Sequence, residues 1–270
     1  MSNSAPSIAF IGFGEAGQAI GGGLAGAGAK IGAYDLKFDG PEREARLSGA
    51  ADLGVTTASS AAEAAASAEI VVSTVTAGSA REVAEAASAY IRPGQVFLDL
   101  NSVSPTDKRA GAAAVEAAGG TYVEGAIMSP VHPKGHKSPI LLAGPAAEAL
   151  VARLRPLGMD VEAAGESFGA ASAVKMSRSI FIKGLEAITV ECLMTARAYG
   201  VEERVNASLA ASYPGLDWHN HSAYLLDRVL VHGARRAEEM RCAAETVASI
   251  GVAPTMASAT AERQQWVADL

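Results

Sequence analysis

Gly12-Phe13-Gly14-Glu15-Ala16-Gly17 follows directly on the apolar run Ile8 to Ile11 and opens a helical stretch, Glu15 to Gly26. Three glycines at this spacing between a strand and a helix specify one kind of turn. Gly12 permits the tight reversal, Gly14 lets the backbone approach a pyrophosphate, and Gly17 lets the helix pack closely on the strand. The helix N-terminus adds free N–H groups and the positive end of its dipole, which suit phosphates. A second β-rich run, Lys30 to Tyr34, ends at Asp35. That is about twenty residues past the glycines, where a carboxylate bonds ribose hydroxyls and repels a 2′-phosphate. The pattern predicts a dinucleotide-binding βαβ unit that favours NAD. Lys37, two positions on, offers a partner to a 2′-phosphate, so NADP stays open. FAD uses the same turn, but the chain is short and has no second nucleotide-binding region. Phe13, Glu15 and Ala16 join the glycines as cofactor-side residues, as do Thr74, Val75 and Thr76 where a later strand ends.

The alternation continues beyond this unit. Strand candidates at Val55, Ile70 to Thr74, Val96 to Leu98, Tyr122 to Gly125, Ile140 to Ala143 and Asp160 to Ala163 are separated by helical stretches at Ser60 to Ser67, Ala80 to Tyr90, Pro105 to Ala118 and Ala146 to Leu157. Strands alternating with helices predict an α/β fold with a parallel, doubly wound sheet of the Rossmann type. Near Gly165 the character changes. From Gly169 to Tyr199 the chain has no Pro and one internal Gly, and the remainder reads as helix. The expected organisation is a dinucleotide domain over 1–165 and an all-helical substrate and dimerisation domain over 166–270.

Composition narrows the class further. A formal charge of −7 argues against a generally basic face for nucleic acid. Cys192 and Cys242 are the only cysteines, far apart and without metal-ligand spacing, so a reducing cytoplasm fits and no zinc site is read. His132 and His136 have i, i+4 spacing, but Pro133 and Gly135 oppose a helical metal pair, and no metal is assigned. The segment Met1 to Ser7 lacks the regions of a signal peptide, and no apolar stretch reaches spanning length, so a soluble, unsecreted protein is expected.

Two further segments carry chemistry. Leu98-Asp99-Leu100-Asn101-Ser102-Val103-Ser104-Pro105 leaves a strand and enters a helix, which puts Asn101 and Ser102 at the carboxyl edge of the sheet, where ligands of such sheets bind. Ser104 before Pro105 reads as a helix cap; for Ser102 both a cap and a ligand contact are open. Lys175 lies in Gly169-Ala170-Ala171-Ser172-Ala173-Val174-Lys175, near the start of the long helix.

With these segments in that order, nearly the whole chain resembles the β-hydroxyacid dehydrogenases, the group that includes 3-hydroxyisobutyrate and 6-phosphogluconate dehydrogenases. Gly12 to Gly17 with Tyr34-Asp35-Leu36 is similar to the family's NAD segment. Asp99 to Pro105 is similar to its substrate-binding D-x-S-T-x-x-P, and Lys175 falls where its catalytic lysine follows G-x-G-x-x-x-K. The resemblance implies hydride transfer between a nicotinamide cofactor and a small hydroxy acid or its oxo form. Lys175 would be general acid or base, its pKa lowered by burial beside a cationic ring. Asn101, Ser102 and the Val103 backbone would bind a carboxylate or neighbouring polar group of the substrate. A homodimer is implied by analogy.

Departures from the family bear on the substrate. D-x-P-V-S-G-G becomes Glu124-Gly125-Ala126-Ile127-Met128-Ser129-Pro130, followed by Val131-His132-Pro133-Lys134-Gly135-His136. Ser179 stands where the family has an asparagine one helical turn past the lysine, and it replaces that amide in part. Lys183, a further turn along, either reaches the far end of a substrate or lies on the surface. Arg235 and Arg236 either bind an anion or pair with Glu238 and Glu239. The segment His232 to Met240 resembles a poorly characterised branch with its own helical C-terminal domain. Two rival readings stand beside a dehydrogenase. One is an imine reductase-like enzyme, disfavoured by Lys175; the other is a non-catalytic dinucleotide sensor, disfavoured by the retention of both Lys175 and the Asn101-Ser102 segment.

Overall fold

A computed structural model describes residues 5–270. The apolar runs form strands and the stretches between them form helices. In chain order these are β1 (Ser7–Ile11), α1 (Glu15–Gly26), β2 (Lys30–Tyr34), α2 (Arg43–Asp52), β3 (Val55–Thr57), α3 (Ala61–Ala65), β4 (Ile70–Ser73), α4 (Ala77–Ala87) and β5 (Val96–Asp99). There follow α5 (Pro105–Ala117), β6 (Thr121–Ile127), β7 (Ile140–Ala143), α6 (Ala147–Leu154), β8 (Val161–Ala163), α7 (Ala170–Ala198), α8 (Glu202–Ser212), α9 (Trp218–Ala248) and α10 (Thr255–Ala268). The chain divides into two compact units, one ending at Lys175 and the other Met176–Leu270, so the division lies inside α7, beyond the change of character at Gly165.

In the first unit one sheet has the order β3-β2-β1-β4-β5-β6-β7-β8. The first six strands are parallel. Their order reverses between β1 and β4, and the crevice outside the carboxyl ends of these two strands is where such sheets bind ligands. Both faces are covered, so the central strands are continuously apolar. Along β1, Ile8 and Phe10 enter one core with Ile20, Leu24, Leu98 and Val123. Ala9 and Ile11 enter the other with Val71, Phe97, Val115 and Tyr122. The alternation is the period of two that a pleated strand imposes.

The sheet departs from wholly parallel at β7, which runs antiparallel to β6. The connection from Met128 to Pro139 contains only one helical turn, Gly135–Lys137. A parallel return needs a full crossover, and a connection of this kind favours an antiparallel neighbour. Helix α2 has no counterpart in the sequence reading because Ala50 is the one buried residue among its ten, which leaves almost no apolar stripe to detect. The helix expected from Ala146 to Leu157 stops as an α-helix at Leu154 and gives way to a 3-10 turn at Arg155–Leu157, where Pro156 supplies no N–H.

In the second unit α9 and α10 pack closely at Gly233, where a Cβ would lie 2.8 Å from the Gln264 carbonyl oxygen. Met176, Met240, Ala243, Ala257 and Ala261 form a core there. Among the described residues no helix is long and apolar enough to cross a membrane.

Candidate active site

The glycine turn is built by contacts that admit nothing larger at two positions. Gly12 has φ +85°, and a Cβ on it would sit 2.6 Å from the Thr74 carbonyl oxygen. A Cβ on Gly17 would sit 2.7 Å from the Gly12 oxygen, whereas nothing lies within 4 Å of one on Gly14. The open side of Gly14 is where a pyrophosphate needs room, and α1 begins there without a side-chain cap, so its first-turn N–H groups meet no capping oxygen. Exposed Glu15 and half-buried Ala16 form the first turn beyond it. Asp35 Oδ2 accepts the Phe13 N–H at 2.6 Å and Oδ1 accepts the Lys37 N–H at 2.8 Å. The carboxylate is thereby fixed at the end of β2, beside the turn.

Thr74 and Val75 close the other wall of the crevice. The Thr74 hydroxyl donates to the Gly12 oxygen at 2.6 Å, and the Val75 N–H donates to Asn101 Oδ1 at 2.7 Å. Thr76 is exposed at the N-terminus of α4. Asn101, 4% exposed, uses its Nδ2 on Asp99 Oδ1 at 2.7 Å and on the Ser73 hydroxyl at 2.8 Å. Its amide is thus engaged by protein groups and holds the ends of β4 and β5 together. The Val103 N–H donates to the Asn101 carbonyl at 3.2 Å, so it too has a protein partner. Ser102 differs: its hydroxyl is buried and meets no hydrogen-bond partner. Buried hydroxyls are normally paired, so an orphan at the carboxyl edge fits a ligand group. Ser104 caps α5, its hydroxyl accepting the Asp107 N–H at 3.2 Å.

Beneath this edge lies a polar network that the sequence reading missed. Lys108, wholly buried, pairs with Asp99 Oδ1 at 2.9 Å, and Tyr122 donates its hydroxyl to Asp99 Oδ2 at 2.7 Å. Burial, and next to it the Asp99 carboxylate, push the Tyr122 hydroxyl well above its ordinary pKa. Glu124, also wholly buried, accepts the Gly169 N–H, the Ser172 N–H at 2.6 Å and the Ser172 hydroxyl at 2.9 Å. A carboxylate on β6 therefore receives the first turn of α7, where a negative charge complements the helix dipole. Half-buried Lys175 lies one turn further along that helix. Two signals pointed to these residues: Glu124 occupies the place of the family's aspartate, and Lys108 falls on the buried stripe of α5 with Pro105, Gly111, Ala112 and Val115.

In the second unit Lys183 is 5% exposed, which excludes the surface reading. Its ammonium pairs with Glu239 at 2.8 Å and donates to the Ser179 hydroxyl at 3.0 Å. Arg236 is buried against Glu186, which also accepts from Gln264 at 3.1 Å, so its guanidinium serves an internal ion pair. His132 is exposed and His136 rests on α1 at Gly23. Among the described residues no group of three His, Cys, Asp or Glu side chains is placed to hold a metal.

A doubly wound sheet with a glycine turn at its reversal point and an acidic residue at the end of β2 defines a Rossmann-type dinucleotide-binding protein. Comparison with known proteins agrees. Residues 7–157 match the NAD binding domain of 6-phosphogluconate dehydrogenase, and residues 196–267 match a domain of unknown function (DUF1932). The chain belongs to the β-hydroxyacid dehydrogenase superfamily, in a branch with its own helical C-terminal domain. It is similar to a conserved hypothetical protein from Sinorhizobium meliloti 1021, with 44% identity, a TM-score of 0.84, and coverage of 97% of this chain and 88% of that one. It is also similar to the conserved protein MTH1747, whose structure resembles 3-hydroxyacid dehydrogenases, with 30% identity, a TM-score of 0.80 and 97% of each chain covered. A Mycobacterium tuberculosis 3-hydroxyisobutyrate dehydrogenase shares the fold at 23% identity, with a TM-score of 0.80 and coverage of 98% and 94%.

Proposed function

We propose that this protein is an NAD-dependent dehydrogenase or reductase of a small, carboxylate-bearing hydroxy acid or its oxo form, with Lys175 as general acid or base. The observation that carries this reading is the Glu124 anchor. It fixes the start of the helix bearing Lys175 to β6, in the sheet whose β1 and β4 ends form the dinucleotide crevice. Gly12 to Gly17 would receive the pyrophosphate, Asp35 the adenosine ribose, and Thr74 to Thr76 the far half of the dinucleotide. Bound there, the nicotinamide ring supplies the hydride acceptor or donor. In the oxidative direction the neutral Lys175 amine takes the hydroxyl proton as hydride leaves the carbinol carbon; in reduction the ammonium returns that proton to the new alkoxide. The orphan Ser102 hydroxyl donates to the substrate carboxylate, with Asn101 acting through the turn it holds. Ser179 accepts from Lys183, which leaves its own O–H as a donor for a substrate oxygen, and Lys183 acts through it. The carboxylate of Asp35 favours NAD over NADP. Exposed Ile188, Tyr199, Leu230, Val231 and Met256 in the helical unit support a homodimer.

The test is reduction of NAD and NADP across 2- and 3-hydroxy acids and sugar acids, comparing the native protein with Lys175→Ala. The expected result is NAD-linked turnover that falls roughly 10²–10⁴-fold in the variant while NADH binding persists. Tight NADH binding without turnover of any hydroxy acid rejects this reading in favour of a sensor, and turnover confined to cyclic imines rejects it in favour of an imine reductase.

A further inference from the structure

The reading above leaves unused a fully buried cation. Lys108 donates to the Asp99 carbonyl at 2.8 Å and to the Gly125 carbonyl at 3.4 Å, besides pairing with the Asp99 carboxylate at 2.9 Å. Removing an ammonium from water costs more than such a pair returns in many interiors, and an apolar side chain of similar volume often does as well for stability. What a lysine adds is direction, through several donors aimed at fixed acceptors.

Two routes lead outward from it. Asp99 Oδ1 also accepts the Asn101 backbone N–H at 2.9 Å and its Nδ2 at 2.7 Å, which turns Asn101 Oδ1 to the Val75 N–H. Gly125 is bonded in the chain to Glu124, whose carboxylate holds Gly169 and Ser172 at the start of α7. The geometry points to Lys108 as a positioning residue that sets the cofactor turn Thr74–Thr76 and the first turns of the Lys175 helix against the same two strand ends. It touches neither the dinucleotide nor the substrate. Its importance to turnover rests on the proposed function; its hold on the two segments does not.

Amide hydrogen exchange, NADH fluorescence titration and kcat on the intact protein test this with Lys108→Met. Exchange is expected to rise roughly tenfold at both 74–76 and 169–175 while β1 and β2 keep their protection. NADH affinity is expected to fall roughly tenfold, as losing one well-placed hydrogen bond does. Adding Asn101→Ala to Lys108→Met should weaken binding no further than the weaker single variant, because both act through one link. Val115→Ala, two turns further along the same buried stripe of α5 and packed among apolar side chains, should lower stability without loosening either segment. If Lys108→Met does not fold, Asp99→Asn removes the negative charge of its ion pair at nearly constant shape and carries the same readouts. Unchanged exchange in either segment, or a rise spread over the whole sheet, overturns the assignment. Joint loosening without hydroxy-acid turnover in the native protein upholds it and rejects the proposed reaction instead.

Discussion

Asp35 and Phe13 are 22 positions apart and meet at 2.6 Å, the carboxylate of one accepting the backbone N–H of the other. The end of β2 thus clamps the glycine turn before any ligand arrives, and under the proposed function the same carboxylate bonds a ribose. Asp35→Ala is expected to lower NADH affinity roughly 10–100-fold, the range for a hydrogen bond to a charged group. NADPH affinity should fall less or rise, because repulsion of a 2′-phosphate disappears with the carboxylate. Parallel fluorescence titrations with the two cofactors check this. Equal losses for both would reduce Asp35 to a support for the turn.

Gly12 and Gly14 separate folding from binding. Gly12→Ala forces a side chain into a left-handed conformation and against the Thr74 carbonyl, two costs that together reach about 2–5 kcal/mol. Gly14→Ala meets no protein atom within 4 Å, and should leave the thermal midpoint nearly unchanged while obstructing the pyrophosphate. Thermal unfolding and NADH titration of the two variants check the contrast. Normal cofactor affinity in Gly14→Ala would move the pyrophosphate away from this turn.

The contrast between these glycines and Lys108 explains what the sequence made legible. The glycine turn, Asp35 and most strands are local patterns: spacing, a run of apolar residues, a turn residue. Lys108 sits in Thr106-Asp107-Lys108-Arg109, which reads as an exposed first turn of a helix, and only its place on the buried stripe of α5 betrays it. Glu124, Tyr122 and Asp99 acquire their roles from partners far along the chain, such as Ser172, |i−j| = 48 from Glu124. Periodicity carries no information about such pairings. Arg236 repeats the lesson, since its neighbours on the buried stripe of α9 are Val229, Gly233 and Met240, while Glu186 lies on another helix.

The Met128–Pro139 connection is seated on α1 through His136. A Cβ added to Gly23 would lie 2.0 Å from His136 Nδ1, so the ring occupies the space the glycine leaves. Burial, and secondarily Lys137, hold the His136 pKa below its ordinary 6.5. A histidine lowered on folding binds its proton more readily when unfolded, so its contribution is fully present above about pH 6.5 and is lost as pH falls toward the folded value. Gly23→Ala should displace the ring and raise proteolytic susceptibility of the loop, with His136→Ala restoring it in the double variant. Hydrogen exchange over 131–138 between pH 7.5 and pH 5.5 should show loosening at the acid end in the native protein and not in His136→Ala. The same acid response in both would assign it to another group.

Arg236 and Glu186 provide a test of the helical unit by itself. The guanidinium donates to both carboxylate oxygens, and Gln264 adds a third donor at 3.1 Å to the same carboxylate. Both charges are buried, so truncating one leaves the other without compensation, at a cost of roughly 3–5 kcal/mol. Arg236→Met is therefore expected to unfold Met176–Leu270 well before the native protein does. Replacing both partners removes the uncompensated charge, so Arg236→Met with Glu186→Leu should recover most of that loss, by up to the same few kcal/mol. Calorimetry of the three variants decides between two roles for the pair. Full recovery makes it one of several ways to fill this core. A double variant that is stable yet shows broadened methyl resonances from Met176 and Met240 would mean that the ion pair selects a single packing of these helices, a service that apolar residues of equal volume do not provide.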